Sequence, residues 1–280
     1  MKEKILYLEC KTGAAGDMLM AALYDVMNEE QKAVFLETMN GLVESVTVAA
    51  EKKVSRGIAG VHMKVTVQGE EEGEHLDGHD HEHHHHHEHG HEHHHRHEHN
   101  HCHEHTHFHH VHVSYKDLLA HIMELPVSNQ VKQNASTVYQ LLGMAESKVH
   151  GTDIEQIHFH EVGSLDALVD IVGCALAMEM IAPDKIYAAP VCVGNGTVRC
   201  AHGVLPVPAP ATAELIKGMP TYSSKFDGEL LTPTGAAVLK HYVQNYTKEI
   251  SMEIKDIGYG MGTKEFEQPS FVRAFVGWTS

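Results

Sequence analysis

Apolar positions in the first 67 residues repeat with two different periods, one typical of helices and one typical of strands. The predicted elements are a buried strand over 4–10, helices over 17–27 and 29–39, and the strands of a hairpin over 43–54 and 58–67. Asp17 stands at the start of the first helix, where an acidic side chain is favoured. This part therefore predicts a strand and helix joined by a glycine turn at 13–16, followed by a helix and a hairpin.

The same patterns return from residue 113 onward. They predict helices over 114–125, 128–148, 164–181, 211–217 and 236–246, strands over 154–160, 185–189 and 271–276, and a glycine-spaced loop over 258–262. Strands and helices that alternate in this way favour a mixed α/β fold. The expected fold class is α/β, with an N-terminal part over 1–73 and a main part over 113–280.

The segment between these parts, 74–112, has a different composition. Residues 70–105 contain 11 acidic residues, one arginine and almost no apolar side chain. Such a stretch cannot bury enough apolar surface to offset the entropy of ordering its backbone. We therefore expect a disordered insertion that separates two ordered parts.

Composition excludes several classes of protein. The 280 residues carry a formal charge of −17 and no stripe of Lys and Arg, which argues against nucleic acid as a partner. No apolar run is long enough for a membrane span, and no signal-peptide profile is present, so a cytoplasmic protein is expected. The five cysteines are scattered without a C-x-x-C pair, which favours reduced thiols.

Histidine is the exception in this composition. Of 29 histidines, 22 lie between His75 and His112, and every odd-numbered residue from 79 to 109 is a histidine. Neutral imidazole is a common ligand for Zn²⁺, Cu²⁺ and Ni²⁺. A strand with one histidine face is the structural alternative, but its other face would be acidic and could not pack. The tract therefore predicts several exchangeable sites for a divalent metal, represented by His79, His81, His83, His85, His87, His89 and His91.

A second group of metal-ligating residue types lies in the main part. His158 and His160 are two apart on a predicted strand, Glu161 follows them, and Asp166 and Asp170 are one turn apart on an apolar helix. Buried carboxylates are rare unless they are paired or bound to metal, so this group is a candidate cation site. The alternative is structural: Asp166 meets the helix N-terminus, Asp170 meets a buried cation, and the histidines are core donors.

Three further motifs are weaker. Cys200 and His202 offer a thiol and an imidazole two residues apart, although a single cysteine is more often a buried apolar residue. Two turns precede helices and present backbone N–H groups suited to an anion. Their candidate binding residues are Gly13, Gly16, Asp17, Thr232, Thr234 and Gly235. Ordinary turn chemistry explains both turns equally well.

Five motifs occur in order along the chain. They are GAAGDM at 13–18, HFHEVGSLDALVDIVG at 158–173, GNGTVRCAHGVLPVPAPAT at 194–212, LLTPTGAA at 230–237 and IGYGMGT at 257–263. Taken together, they resemble the nickel-insertion protein LarC family. The resemblance implies a nickel chelatase that inserts Ni²⁺ into pyridinium-3,5-bisthiocarboxylic acid mononucleotide. The product it implies is the nickel-pincer cofactor of lactate racemase, with CTP hydrolysis and Mg²⁺ or Mn²⁺ required in the complete protein.

On this resemblance, the matching blocks supply candidates to hold nickel or substrate. Glu161, Asp166, Asp170 and Cys200 are the candidate catalytic residues, and His158, His160 and His202 are the candidate nickel ligands. The resemblance also implies the lactate racemase system as a partner, and we expect a homo-oligomer. A nickel storage protein or metallochaperone without catalytic activity is the alternative, because the histidine tract alone would serve that function.

The chain differs from longer members of that family in one respect. Those members continue into a C-terminal domain that holds the nucleotide site, whereas this chain ends at Ser280. Some members are encoded in two consecutive frames joined by frameshifting. We therefore expect this chain to be the first product of such a pair and to need the frameshift-extended form for insertion.

Overall fold

The structure is a computed structural model that describes residues 2–67, 70–71, 113–159, 164–200, 202–264, 266 and 268–279. The helices are α1 (Gly16–Asp25), α2 (Glu29–Asn40), α3 (Tyr115–Glu124), α4 (Asn129–His150), α5 (Leu165–Ile181), α6 (Pro210–Leu215) and α7 (Pro233–Tyr242). The strands before α5 are β1 (Lys4–Glu9), β2 (Val46–Ser55), β3 (Ile58–Val67), β4 (Glu70–Glu71), β5 (Val113–Ser114) and β6 (His158–Phe159). Those after α5 are β7 (Lys185–Ala188), β8 (Val191–Asn195), β9 (Thr197–Cys200), β10 (Gly203–Pro206), β11 (Thr221–Ser223), β12 (Gly228–Glu229), β13 (Asn245–Tyr246), β14 (Met252–Met261) and β15 (Phe271–Thr279).

One mixed sheet contains strands from both sides of the histidine tract. Its order is β13-β7-β1-β15-β14-β3-β2, with β4 paired to β3. Strand β1 is antiparallel to β15 and parallel to β7, while β2 and β3 form an antiparallel hairpin. The described residues before and after the tract therefore share one sheet, and the site described below draws on both.

Helix α1 lies between this sheet and α5. It contacts β14, β3 and β15 on one side and α5 on the other, and α4 covers α5. Both helices are consequently buried around most of their circumference, which explains why their sequences lack a polar face. A Cβ on Gly173 would lie 2.2 Å from Met20 Sδ, so glycine allows α1 and α5 to approach closely.

Short polar side chains begin most of the helices. Ser114, Ser128 and Ser164 each accept a hydrogen bond from a backbone N–H in the first turn of α3, α4 and α5. Asn28 and Gln31 form a reciprocal capping box at the start of α2. Helix α4 ends at Gly151, whose φ of 65° is in the left-handed region that glycine adopts without strain.

The mixed α/β fold class is confirmed, but some predicted elements are wrong in detail. The glycine-spaced loop predicted over 258–262 is largely the end of β14, because glycines two apart leave one face of a strand without side chains and α1 packs against that face. A Cβ on Gly260 would lie 1.9 Å from the carbonyl oxygen of Met18. The strand predicted over 154–160 begins instead as a 3₁₀ turn, Ile154–Gln156.

Two other predictions meet different outcomes. The helix predicted over 236–246 begins earlier, because Thr232 caps it and Pro233 occupies its first position, where proline is well suited. The predicted disordered insertion at 74–112 lies outside the described residues. None of the helices among the described residues combines the length and apolar character that a membrane crossing requires.

Candidate active site

The starts of α1 and α5 meet through Gly16 and Asp170. A Cβ on Gly16 would lie 2.6 Å from Asp170 Oδ2, so only glycine leaves room for the carboxyl group. The residue before α1, Ala15, provides no side-chain cap. Instead, the carboxyl group of Asp170 accepts a hydrogen bond from the backbone N–H of Asp17 and thereby caps α1 from a neighbouring helix.

Asp170 is a buried acid without a cationic partner among the described residues. Asp170 is 5% exposed, and its Oδ1 has no hydrogen-bond partner in the described part of the chain. Burial, followed by the nearby charges of Asp166 and Asp17, raises the pKa of Asp170 well above its usual range. The structural alternative in which a buried cation pairs with Asp170 is therefore wrong for the described residues.

Asp17 lies beside Asp170 and is less deeply buried. Its Oδ1 accepts the N–H of Met18 at 2.8 Å, and its Oδ2 accepts the backbone N–H of Thr263 at 3.2 Å. Burial raises the pKa of Asp17, although these hydrogen bonds and the nearby His62 act in the opposite direction. A carboxylate with a raised pKa is a stronger base than an exposed one, and Asp17 is fixed in position by two elements.

Strand β3 and the segment after β14 supply further groups beside Asp17. His62 is buried on β3, and its Nδ1 lies 3.2 Å from the carbonyl oxygen of Met261. Thr263, two residues beyond Met261, contributes its hydroxyl to Asp17 Oδ2 at 3.4 Å as well as its N–H. His62 belongs to the N-terminal half of the chain and Thr263 to the C-terminal half. The shared sheet therefore brings both of them next to Asp17.

Two more polar groups lie next to Asp170. The hydroxyl of Tyr139, on α4, is fully buried and has no hydrogen-bond partner among the described residues. Its pKa is raised by burial and by the charges of Asp170 and Asp166. The thiol of Cys174, one turn after Asp170, lies 3.6 Å from the carbonyl oxygen of Gly16, and burial also raises its pKa, so it stays a neutral thiol.

These unpartnered atoms are informative because buried polar groups are normally hydrogen-bonded. Tyr139 Oη and Asp170 Oδ1 both lack a partner among the described residues, and the charge of Asp170 contributes to the raised pKa of Tyr139. We call the group formed by Asp17, Asp166, Asp170 and Tyr139 the carboxyl cluster. It combines two acids of raised pKa, Asp17 and Asp170, with polar atoms that a ligand could satisfy.

The two predicted anion-binding turns contact each other. Ala14 donates its N–H to Leu230 O at 2.8 Å, and Thr232 donates its N–H to Ala14 O at 3.1 Å. Gly13 donates to Cys10 O, and Gly235 donates to the side chain of Thr232. The Thr232 hydroxyl also lies 2.9 Å from that of Thr234. These N–H groups are thus used within the protein, and anion binding by the turns remains a prediction.

The remaining predicted residues lie elsewhere. Cys200 is half-buried at the end of β9, and His202 is exposed in the loop that follows, where its ring contacts His150. His158 is exposed on β6. The structure therefore brings Asp17 and Asp170 together with Asp166 nearby, but it places His202 against the C-terminal end of α4.

Some predicted residues fall outside the described part of the chain. They are His160, Glu161 and the tract ligands His79, His81, His83, His85, His87, His89 and His91. Among the residues that the structure describes, no three His, Cys, Asp or Glu side chains form a ready-made metal site. The geometry of the described residues thus supports an acid–base site.

Comparison with known proteins decides the family. The sequence model described as "Nickel insertion protein" matches residues 6–280, nearly the whole chain. The chain belongs to the nickel insertion protein family. The predicted resemblance is therefore confirmed, and nickel is the metal that this family is named for.

Relatives in the nickel insertion protein family agree in name. A protein from Geobacillus kaustophilus is 38% identical over 276 residues, which cover 98% of this chain and 60% of the relative. Proteins from Desulfitobacterium hafniense and Clostridium kluyveri are each 36% identical over 275 residues, covering 98% of this chain and 58% and 62% of those relatives. All three are named pyridinium-3,5-bisthiocarboxylic acid mononucleotide nickel insertion proteins.

The chain spans about three-fifths of the length of these relatives. No solved structure matches the chain significantly.

Sequence reasoning missed Tyr139, His62 and Thr263. Tyr139 lies on a helix whose apolar pattern gives no sign that its hydroxyl faces an acid. His62 lies on the strand face that also carries Lys64 and Thr66, opposite the apolar face, so the alternating pattern gave no sign that it is buried. The only available signal for Thr263 was its position directly after the glycine pattern of 258–262.

Proposed function

We propose that this chain binds nickel and takes part in the insertion of Ni²⁺ into pyridinium-3,5-bisthiocarboxylic acid mononucleotide. The observation that carries this proposal is the family match over 6–280, together with relatives named for that reaction. The carboxyl cluster supports it, because the reaction needs a base in a protected site. Nickel is a substrate of this reaction.

The chemistry requires one proton acceptor. Insertion joins Ni²⁺ to two sulfur atoms and to a ring carbon, and the ring carbon loses its hydrogen as a proton when the carbon–nickel bond forms. The sulfur ligands are soft and capture a borderline metal such as nickel. A carboxylate within reach of the ring carbon accepts the proton.

Asp17 is the described carboxylate best suited to accept that proton. It is half-buried, whereas Asp170 lies deeper, and burial raises the pKa of Asp17 and so its basicity. The N–H groups of Met18 and Thr263 hold both of its oxygens in place. Asp170 acts as a neutral acid behind it, since two adjacent acids of raised pKa do not readily carry two charges.

Further parts of the proposal come from the resemblance. CTP hydrolysis with Mg²⁺ or Mn²⁺ would accompany insertion in the longer protein, and lactate racemase would receive the finished cofactor. Glu161, Cys200, His158 and His160 remain candidates for holding nickel or substrate, and the histidine tract is proposed as a nickel reservoir. A homo-oligomer in the cytoplasm is likewise proposed.

The test is reconstitution with purified components. The chain is incubated with Ni²⁺, the mononucleotide, CTP and Mg²⁺, alone and fused to the part of the Geobacillus kaustophilus relative that lies beyond the matched region. Mass spectrometry then measures the nickel-pincer cofactor. We expect product from the fusion and none when CTP or Ni²⁺ is omitted. Nickel binding without product in the fusion would contradict the insertion function and leave only storage.

A further inference from the structure

A pair of histidines meets on the surface away from the carboxyl cluster. His150 is the last residue of α4, and His202 lies immediately before β10. Their ring centroids are 5.0 Å apart, with 41° between the ring planes. The two residues are far apart in sequence, so the fold itself brings these imidazoles together.

A carboxylate lies next to the pair. Glu146 precedes His150 by one helical turn, and its Oε2 is 3.4 Å from His150 Nε2. Histidines that bind metal commonly have a carboxylate partner that orients the ring or joins the ligands. Two imidazoles suit a borderline divalent cation, and a carboxylate beside one of them orients its ring.

The spacing of the rings fits a shared ion. Two imidazole nitrogens that each lie about 2.1 Å from one cation in a tetrahedral arrangement place their ring centroids about 5 Å apart. The separation of His150 and His202 is 5.0 Å. We propose that His150 and His202 form a two-histidine nickel site, with Glu146 as the orienting carboxylate and water in the remaining positions.

The backbone on both sides restrains this pair. Gly151 ends α4 in the left-handed conformation immediately after His150, and Gly203, with a φ of 96°, completes the turn that carries His202. Both positions suit glycine because other residues adopt such φ values only with strain. The rings also remain accessible: His202 is exposed, and the His150 side chain retains 34% exposure.

This site is separate from the carboxyl cluster. Helices α4 and α5 are antiparallel, since Ser128 at the start of α4 bonds Glu179 near the end of α5. Tyr139 is the residue of α4 that belongs to the carboxyl cluster. His150 lies eleven residues further along α4, which corresponds to about 16 Å of helix. The two-histidine site therefore does not depend on the proposed insertion chemistry, and failure of one would leave the other standing.

Residue-resolved footprinting tests the site in the full chain. A count of bound nickel ions would not serve, because ions bound by the histidine tract would mask one additional ion. Diethyl pyrocarbonate modifies histidine rings, and peptide mass spectrometry measures each histidine separately as Ni²⁺ is added at pH 7.5. We expect His150 and His202 to become protected with one shared midpoint. His121, which is exposed on α3, is the control histidine and should stay reactive.

Three variants make the test decisive. His202→Gln should abolish protection of His150, and His150→Gln should abolish protection of His202, because each ring alone is a weak ligand. Glu146→Gln should raise the Ni²⁺ midpoint about tenfold or more. Independent protection of the two rings, no protection, or protection of His121 at the same midpoint would each overturn the proposal. Circular dichroism establishes that each variant is folded.

Discussion

Replacement of Asp170 by asparagine should change how the stability of the protein depends on pH. The side chain is buried, and burial together with Asp166 and Asp17 raises its pKa well above the ordinary value. The folded protein therefore keeps a proton that the unfolded chain loses above about pH 4. Asp170→Asn has nearly the same shape, can still accept the N–H of Asp17 and carries no titrating group.

The sign and size of the effect follow from proton linkage. The stabilising contribution of protonated Asp170 is fully present below its unfolded pKa, and it is lost as pH rises through the folded pKa. Within this window the wild type loses up to about 1.4 kcal/mol of unfolding free energy per pH unit relative to the asparagine variant. Histidines and acids distant from Asp170 titrate in both proteins and cancel in the difference, whereas Asp17 and Asp166 interact with Asp170 and belong to the measured effect.

The assay is urea unfolding of both proteins at half-unit steps from pH 4.5 to 8.5. We expect the free energy of unfolding of Asp170→Asn to increase relative to that of the wild type as pH rises. Asp256→Asn, at an exposed position, should show no such trend. A difference that is constant across pH would contradict a protonated Asp170 in the folded protein. A variant that loses stability relative to the wild type with rising pH would contradict it as well, because Asp170 would then be ionised in the folded state.

Three other outcomes are expected. Gly235→Ala should destabilise the protein by about 1–3 kcal/mol in urea unfolding, because its Cβ would lie 2.3 Å from Ala14 O. The control Gly41→Ala, whose nearest atoms are 3.5 Å away, should change stability by less than about 0.5 kcal/mol, and equal effects would contradict the close approach of the two turns. Arg273→Met should cost about 1–3 kcal/mol at pH 7, since burial opposes ionisation of Glu9 but hydrogen bonds from Lys11 and Arg273 lower its pKa overall. That cost should shrink below about pH 4 as Glu9 is protonated, and a cost independent of pH would contradict the pairing. Calorimetry at pH 7.5 should find more than one Ni²⁺ per chain, and an unchanged stoichiometry after deletion of 75–112 would contradict the reservoir.

The sequence predicted most elements whose burial follows a simple period. Helices α2, α4 and α5 and the β2–β3 hairpin lie within a few residues of their predicted bounds, since one periodic apolar pattern specifies each. The predictions were poorest at β8 to β12. These strands are short, and their pairing depends on partners distant in sequence, which local periodicity does not report.

The candidate site was only partly readable from the sequence. Asp170 was recognisable as a carboxylate on a helix too apolar to be exposed, and Asp17 as an acid after a glycine turn. Their contact was not predictable, because it depends on the absence of a Cβ at Gly16 and on α1 lying between the sheet and α5. The separation of His202 from the carboxylates was equally hidden, since proximity of motifs in a family pattern does not fix proximity in space.

Asp17 is proposed to accept the proton released when nickel bonds to the ring carbon. The direct measurement is the rate of nickel-pincer cofactor formation by the fusion protein carrying Asp17→Asn, compared with the fusion carrying Asp117→Asn at an exposed position on α3. We predict a loss of about 100-fold or more for Asp17→Asn, with nickel binding retained, and no loss for Asp117→Asn. Equal rates in the two fusions would contradict the claim.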